Sequence, residues 1–323
     1  MPGIEPPAPT GPSAPPVTRL APSPTGALHL GNARTFVLNW VLARQRGWHI
    51  IMRMEDLVGP RVKPETVDGV YDILTWLGLD WDEGPHVQSA DLSPYIDAMQ
   101  SLAAAGRVYP CELTRREIEA AGSAPQLGDP HELRYDPSLR PDARPTTFDD
   151  QSTNWRFVLD DESVTFDDAV AGRQSQCPFR TTGDFVVWTK IGQPAYQLAV
   201  VVDDARQGVT EIVRGDDLLD STARQMLLYD TLGLAPRARY WHLPLVIGED
   251  GRRLAKRHGD TRIATYRDAG VSAARILGLL AWWSGVLPEP AEISLSDFVD
   301  GFDPGKMPRD PVIFDAEADQ WLR

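Results

Sequence analysis

The apolar positions change period in a regular order along the first part of the chain. Val17, Leu20 and Ala21 belong to a short run, residues 17–21, that predicts a strand. A turn follows, built of Pro22, Ser23, Pro24, Thr25 and Gly26. Over residues 30–46, Val37, Trp40, Val41 and Leu42 then fall close to one face of a helix, which Gly47 ends. Residues 49–54 are an apolar-rich strand, and residues 65–77 form a second amphipathic helix stopped at Gly78. Strand, helix, strand, helix in that order predicts a parallel sheet with right-handed crossovers.

From about residue 105 to 182 the texture changes. Prolines 125, 130, 137, 141 and 145 cluster with aspartates, and a short strand pattern covers residues 154–159. We read an inserted α+β subdomain, residues 105–182, between two halves of a Rossmann-like α/β domain, residues 17–104 and 183–250. Strand patterns return at residues 185–188, 198–202 and 210–213, and a helix is predicted over 221–232, with a Ser/Thr cap at its start and Gly233 at its end. Residues 251–323 read as a loop followed by a short C-terminal helical region, helical through 273–280 and closing in a packed terminal helix between 294 and 323 around Trp321. Residues 1–16 carry prolines at 2, 6, 7, 9, 12, 15 and 16 without an apolar core or basic start, so a disordered, polyproline-like tail is expected rather than a targeting peptide.

Composition narrows the classes. A length of 323 residues suggests two domains. Lys and Arg number 32 against 46 Asp and Glu, a net charge of -14, which argues against a polyanion binder held by bulk charge. A local basic patch remains open, and Arg252, Arg253, Lys256, Arg257, His258 and Arg262 form the most basic stretch. Two cysteines, Cys111 and Cys177, give no disulfide framework and fit a reducing compartment, so a cytoplasmic location is expected. No apolar run approaches the roughly 18–20 residues of a membrane span.

The first turn carries the first chemical signal. It leads into His29-Leu30-Gly31-Asn32 at a helix start, where unpaired backbone N–H groups and the positive end of the dipole suit a phosphate. Around it, residues 19–35 run RLAPSPTGALHLGNART. Further blocks are Arg53-Met54-Glu55-Asp56-Leu57-Val58-Gly59-Pro60-Arg61, then Tyr196 to Asp204 continuing to Arg214-Gly215-Asp216-Asp217, then Arg253-Leu254-Ala255-Lys256-Arg257. Together, in this order, they resemble the four signatures of the glutamyl-tRNA synthetases, a class I aminoacyl-tRNA synthetase family. The resemblance covers residues 17–285. Asn32 stands where that family usually has a second His, and Ala255 where it usually has Ser.

The resemblance implies ATP-dependent activation of a carboxylate, with ATP-bound Mg²⁺ and no protein nucleophile. Catalysis is then positioning and charge neutralisation. It implies that Arg19, Ala21, Ser23, Glu55, Tyr196 and Arg214 hold L-glutamate: the arginines on its side-chain carboxylate, Glu55 on its ammonium, Tyr196 packed beside it. His29, Gly31, Asn32, Lys256 and Arg257 would serve ATP. Asp203 and Asp204 are expected to be structural, at a sheet edge or turn.

Three departures point within the family. The chain ends at Arg323, short of a helical anticodon-binding region; Val200 replaces a usual Asn; and the block from Glu55 to Arg61 carries Pro60. These resemble the short branch, the glutamyl-queuosine tRNA(Asp) synthetases, which activate glutamate without tRNA and transfer it to the queuosine base in the anticodon. The partners implied are L-glutamate, ATP and queuosine-bearing tRNA(Asp). The alternatives are a truncated glutamyl-tRNA synthetase charging a 3′ end and a non-catalytic paralogue. That branch often holds zinc by Cys-x-Cys and Tyr-x3-Cys; here Leu113 and Leu139 occupy two of the cysteine positions beside Cys111 and Tyr135. No zinc is expected, with Leu113 packed against Leu139 in its place, and with His131 or Glu132 as the only rescue.

Overall fold

Strand β1 (Val17–Leu20) leads to helix α1 (Leu30–Arg46) and then to β2 (His49–Met54), which pairs with β1 in parallel, Val17 opposite His49 and Leu20 opposite Met52. These bounds follow the apolar pattern closely. Helix α1 buries Leu30, Ala33, Val37, Leu38, Val41 and Leu42. Gly47, at φ 66°, turns the chain out of it and returns its N–H to Ala43 O. Helix α2 (Pro64–Trp76) crosses to β3 (Glu83–Val87), the parallel neighbour of β2. The computed structural model describes residues 14–24, 28–57, 64–121, 134–252, 254 and 260–323. The expected Pro-rich tail falls almost wholly outside these residues.

Helix α3 (Ser93–Ala104) precedes the inserted region. It is followed by β4 (Val108–Cys111), α4 (Arg115–Ala121), β5 (Asn154–Phe157), β6 (Val164–Asp168), β7 (Gly172–Gln176), α5 (Pro178–Thr181), β8 (Phe185–Thr189) and β9 (Gln193–Pro194). Strands β4, β5, β8 and β9 form one antiparallel sheet in that order. The strand at 185–189 therefore pairs with β5 and lies outside the parallel sheet. Its core is aromatic: Phe148 meets Trp155 and Trp188 edge-on, with centroids 5.1 and 4.9 Å apart. Tyr135 and Gly183 bridge two loops of this region. Gly183 has φ +67°, and a Cβ there would stand 1.8 Å from Tyr135 O, so only glycine fits.

Helix α6 (Tyr196–Arg206) occupies the segment whose residues 198–202 read as a strand. Leu198 through Asp204 are all buried, so the run has no polar face to mark a helical period. Burial on every side overrides the β-branched preference of Val200, Val201 and Val202. Asp203 and Asp204 accordingly sit near the end of a helix, not at a sheet edge. The second half of the parallel sheet follows: β10 (Glu211–Gly215), α7 (Ser221–Leu232) and β11 (Arg239–Leu243), with Glu211 opposite Arg239. The N-cap of α7 is Asp220, without a side-chain cap bond, so the expected Ser/Thr cap is not made. Gly233 ends the helix at φ 61°.

Strand β12 (Val246–Gly248) pairs with β13 (Val312–Phe314), and between them lie α8 (Ile263–Asp268), α9 (Ala273–Trp282) and α10 (Leu295–Gly301). Helix α11 (Ala316–Leu322) ends the chain. The region expected to close in one terminal helix is thus two short helices and a strand. Arg275 lies over the Trp321 ring, 4.6 Å from its centroid, and Trp321 Nε1 donates to Arg275 O at 3.0 Å.

Two links complete the parallel layer. Thr210 N donates to Val17 O at 2.9 Å, and Val17 N to Thr210 Oγ1 at 2.9 Å, which sets β10 beside β1. Asp168, at the end of β6, pairs with Tyr240 of β11. The order across the layer is β3, β2, β1, β10, β11, then the β6–β7 hairpin. The chain order reverses between β1 and β10, and such a switch point leaves a crevice at the carboxyl ends of the strands.

Candidate active site

A cavity of about 490 Å³ opens at that switch point. It is lined by nine of the residues singled out from the sequence: Arg19, Ala21, Ser23, His29, Gly31, Asn32, Glu55, Tyr196 and Arg214. The other two, Lys256 and Arg257, lie outside the described residues. Their surroundings are fixed on both sides. Leu254 is buried and lines the cavity, its N–H donating to Val246 O at 3.4 Å. On the far side, Leu30 N donates to Thr261 O at 3.1 Å, Ile263 N to Leu28 O at 2.9 Å, and His29 Nδ1 lies 3.1 Å from Thr261 Oγ1. Val200 is buried in α6 and does not line the cavity.

One wall is a chain of alternating charge. Arg19 Nε donates to Asp204 Oδ1 at 3.2 Å. Arg53 Nη1 donates to the same oxygen at 2.7 Å, and Arg53 Nη2 to Glu55 Oε1 at 2.9 Å. Burial disfavours the Asp204 carboxylate, but Arg53 and Arg19 outweigh it and hold its pKa below the ordinary value. For Glu55 burial wins: its pKa is raised, against the pull of Arg53 and Arg19. Asp203 faces away, accepting from Gln88 Nε2 at 2.7 Å and from the Tyr95 hydroxyl at 2.9 Å. Two adjacent carboxylates therefore do different work, one holding the site arginines and one tying α6 to α3.

The opposite wall is built on Arg214. Its side chain is 5% exposed and forms no ion pair among the described residues. Its nitrogens go to neutral acceptors: Nε to His242 Nε2 at 2.9 Å, Nη1 to Gln225 Oε1 at 2.8 Å, Nη2 to Thr222 Oγ1 at 2.9 Å and Leu218 O at 3.3 Å. A buried guanidinium without a carboxylate partner keeps its charge for an anionic ligand. Arg19, paired with Asp204 through Nε, lines the same cavity. Tyr196, at the start of α6, is 40% exposed on the rim.

Sequence reasoning missed Asp168, Thr222, Gln225 and His242. They come from β6, α7 and β11, and no local motif marks them. The sole signal was a histidine inside an apolar strand.

Of the basic stretch, only Arg252 and Arg262 fall among the described residues. Arg262 pairs with Asp260, and Glu249, Asp250, Asp260, Asp315 and Asp319 line a neighbouring cleft. In the insertion, Leu113 and Leu139 pack on one small cluster with Tyr109, Cys111, Ile118, Tyr135 and Val158. Cys111 Sγ lies 3.8 Å from the Tyr135 hydroxyl, which donates to Leu139 O at 3.1 Å. Cys111 and Tyr135 by themselves do not supply the four ligands of a usual zinc site; His131 and Glu132 lie outside the described residues. No helix among the described residues is long and apolar enough to cross a membrane.

The chain matches the family of class I tRNA synthetases (E and Q), catalytic domain, over residues 16–289. It belongs to that family. Among the curated relatives of this class I synthetase is a glutamyl-Q tRNA(Asp) synthetase of Symbiobacterium thermophilum, 44% identical over 312 residues, covering 93% of this chain and 96% of the relative. Another glutamyl-Q tRNA(Asp) synthetase, of Rhodopirellula baltica, is 42% identical over 322 residues, with coverage of 93% and 96%. A crystal structure of a glutamate tRNA ligase from Elizabethkingia meningosepticum, in complex with its amino acid, superimposes with a TM-score of 0.78 at 24% identity. That match covers 96% of this chain and 69% of the ligase, and it shows the shared class I synthetase fold.

Proposed function

We propose that this class I synthetase activates L-glutamate with ATP, without tRNA, and transfers the glutamyl group to the queuosine base in the anticodon of tRNA(Asp). The convergence of Arg19, Glu55, Tyr196 and Arg214 on one cavity beside the His29–Asn32 helix start carries this reading. The names of the relatives support the choice of glutamate and of tRNA(Asp).

Arg214 and Arg19 receive the side-chain carboxylate, and Glu55 pairs with the α-ammonium. The α-carboxylate is then left facing the helix start. One of its oxygens attacks the α-phosphorus, the bond to the bridging β-phosphate oxygen breaks, and pyrophosphate leaves with that electron pair. The N-terminal turn of α1, with His29 and Asn32, takes the phosphates from one side, and Lys256 and Arg257 from the other. Mg²⁺ bound to ATP would supply neutralisation of the phosphate charge. A queuosine hydroxyl then attacks the glutamyl carbonyl, and AMP departs. No zinc takes part.

Glutamate-dependent ATP–pyrophosphate exchange in the absence of tRNA is the first test, and its absence with Mg²⁺ present would refute enzymatic activation. Transfer is measured on tRNA(Asp) with and without queuosine, the 3′ end blocked in both. Glutamate should pass only to the queuosine-bearing tRNA. Loss of transfer on blocking the 3′ end would instead mark a synthetase that charges the terminus.

A further inference from the structure

Arg214 is held by a residue that belongs to neither strand turn nor signature block. Its Nε–H donates to His242 Nε2 at 2.9 Å. A guanidinium has no acceptor, so His242 Nε2 must carry a lone pair and its proton must sit on Nδ1. That nitrogen is 2.6 Å from Asp168 Oδ2, and both side chains are fully buried. The Asp168 carboxylate is itself fixed: Oδ1 accepts from Val170 N at 2.9 Å and Ala171 N at 2.7 Å, and both oxygens face His242 N at 3.2 and 3.3 Å. The imidazole also stacks on Tyr240, 5.9 Å between centroids and 10° from coplanar. Every degree of freedom of the ring is therefore taken before Arg214 is met.

We propose that Asp168 and His242 are positioning residues for substrate recognition: Asp168 fixes the Nδ1–H tautomer of His242, and His242 Nε2 in turn aims the Arg214 guanidinium into the cavity. This rests on the reading of Arg214 as the receptor of the glutamate side-chain carboxylate. Burial and the Arg214 charge lower the His242 pKa against the opposing pull of Asp168, which agrees with a neutral ring. If His242 were protonated, or in the other tautomer, an N–H would face the N–H of Arg214. The guanidinium would have to turn, and its bonds to Gln225 and Thr222 would go with it.

The Asp168→Asn variant separates orientation from mere packing. The asparagine Oδ1 keeps the bonds from Val170 and Ala171, which leaves its amide NH₂ facing His242 Nδ1. The imidazole proton then moves to Nε2, against Arg214. We expect the KM for glutamate in ATP–pyrophosphate exchange to rise ten-fold or more, with the KM for ATP unchanged and kcat little altered. His242→Leu should do the same, and His242→Gln, whose Oε1 can accept from Arg214, should recover most of the loss. Imidazole ¹⁵N spectra of the substrate-free protein should show His242 as Nδ1–H in the wild type and Nε2–H in Asp168→Asn.

An unchanged glutamate KM in folded Asp168→Asn, or in His242→Leu if the first variant does not fold, overturns the proposal. So does a parallel rise of both KM values, which would mark a scaffold role. If the wild type shows no glutamate-dependent exchange, the functional reading fails instead. The tautomer spectra then decide the relay alone, and an Nε2–H signal in the wild type refutes it.

Discussion

Asp204 is the position where fold and site depend on the same atoms. Both bonds it receives, from Arg19 Nε at 3.2 Å and from Arg53 Nη1 at 2.7 Å, end on Oδ1. Asp204→Asn can therefore keep the geometry and remove only the charge. Two buried guanidinium groups would then share one carboxylate fewer. Loss of one charged partner from a buried pair costs about 3–5 kcal/mol. Because Oδ1 still accepts both bonds, the lower end applies, and we expect about 3 kcal/mol by urea denaturation at pH 7. The pH dependence carries a second signature. The Asp204 pKa is lowered in the folded state, so its contribution is fully present above the unfolded aspartate value of about 3.9 and is lost as pH falls through the folded one. The gap between wild type and variant should stay constant from neutral pH down to about 5 and narrow below about 4. A variant within about 0.5 kcal/mol of the wild type at pH 7, with no narrowing in acid, would refute the view that this carboxylate neutralises both arginines.

Four other outcomes are expected. Arg214→Ala should raise the glutamate KM by about 100-fold through loss of a charge-assisted, two-point contact, whereas Lys256→Ala should lower kcat by about 100-fold; exchange kinetics separate the two, and equal effects on both constants would contradict the assignment. Because burial raises the Glu55 pKa and only its ionised form pairs with an ammonium, the acid limb of kcat/KM for glutamate should lie above the ordinary glutamate value of about 4.3. A pH–rate profile with its midpoint at or below that value would count against the pairing. Gly183→Ala should destabilise the protein by about 3 kcal/mol or more, read by thermal melting, since its Cβ would overlap Tyr135 O at positive φ. Elemental analysis of the purified protein should find no stoichiometric zinc.

What the sequence disclosed follows from how local each feature is. Helix α1 and strand β2 were legible to the residue, because Gly47 supplies the stop of the helix and β2, buried on both faces, is a short apolar-rich run. The nine residues that prove to line the cavity stood out because they lie in short blocks. Helix α6 was not, since a helix buried all round with three successive valines looks like a strand from inside the sequence. The strand at Phe185–Thr189 was recognised as a strand but given to the wrong sheet, because strand pattern says nothing about partner. Asp168, Thr222, Gln225 and His242 were missed. Asp168 reaches His242 across 74 residues, a pairing that leaves no trace in a window, and Thr222 and Gln225 meet Arg214 only once α7 packs beside β10.

The β6–β7 hairpin has a consequence for how this architecture can vary. It is encoded within the inserted region, yet its first strand ends on β11 and its turn delivers Asp168 to the far side of the cavity. The insertion is thus not an interchangeable module. A chimaera that grafts the region from a relative onto this catalytic core would fold its antiparallel sheet independently of the donor's hairpin. It would keep its grip on substrate only if the donor also placed a carboxylate at that one turn. Exchange of the segment between lineages is then limited by that carboxylate as well as by the sheet.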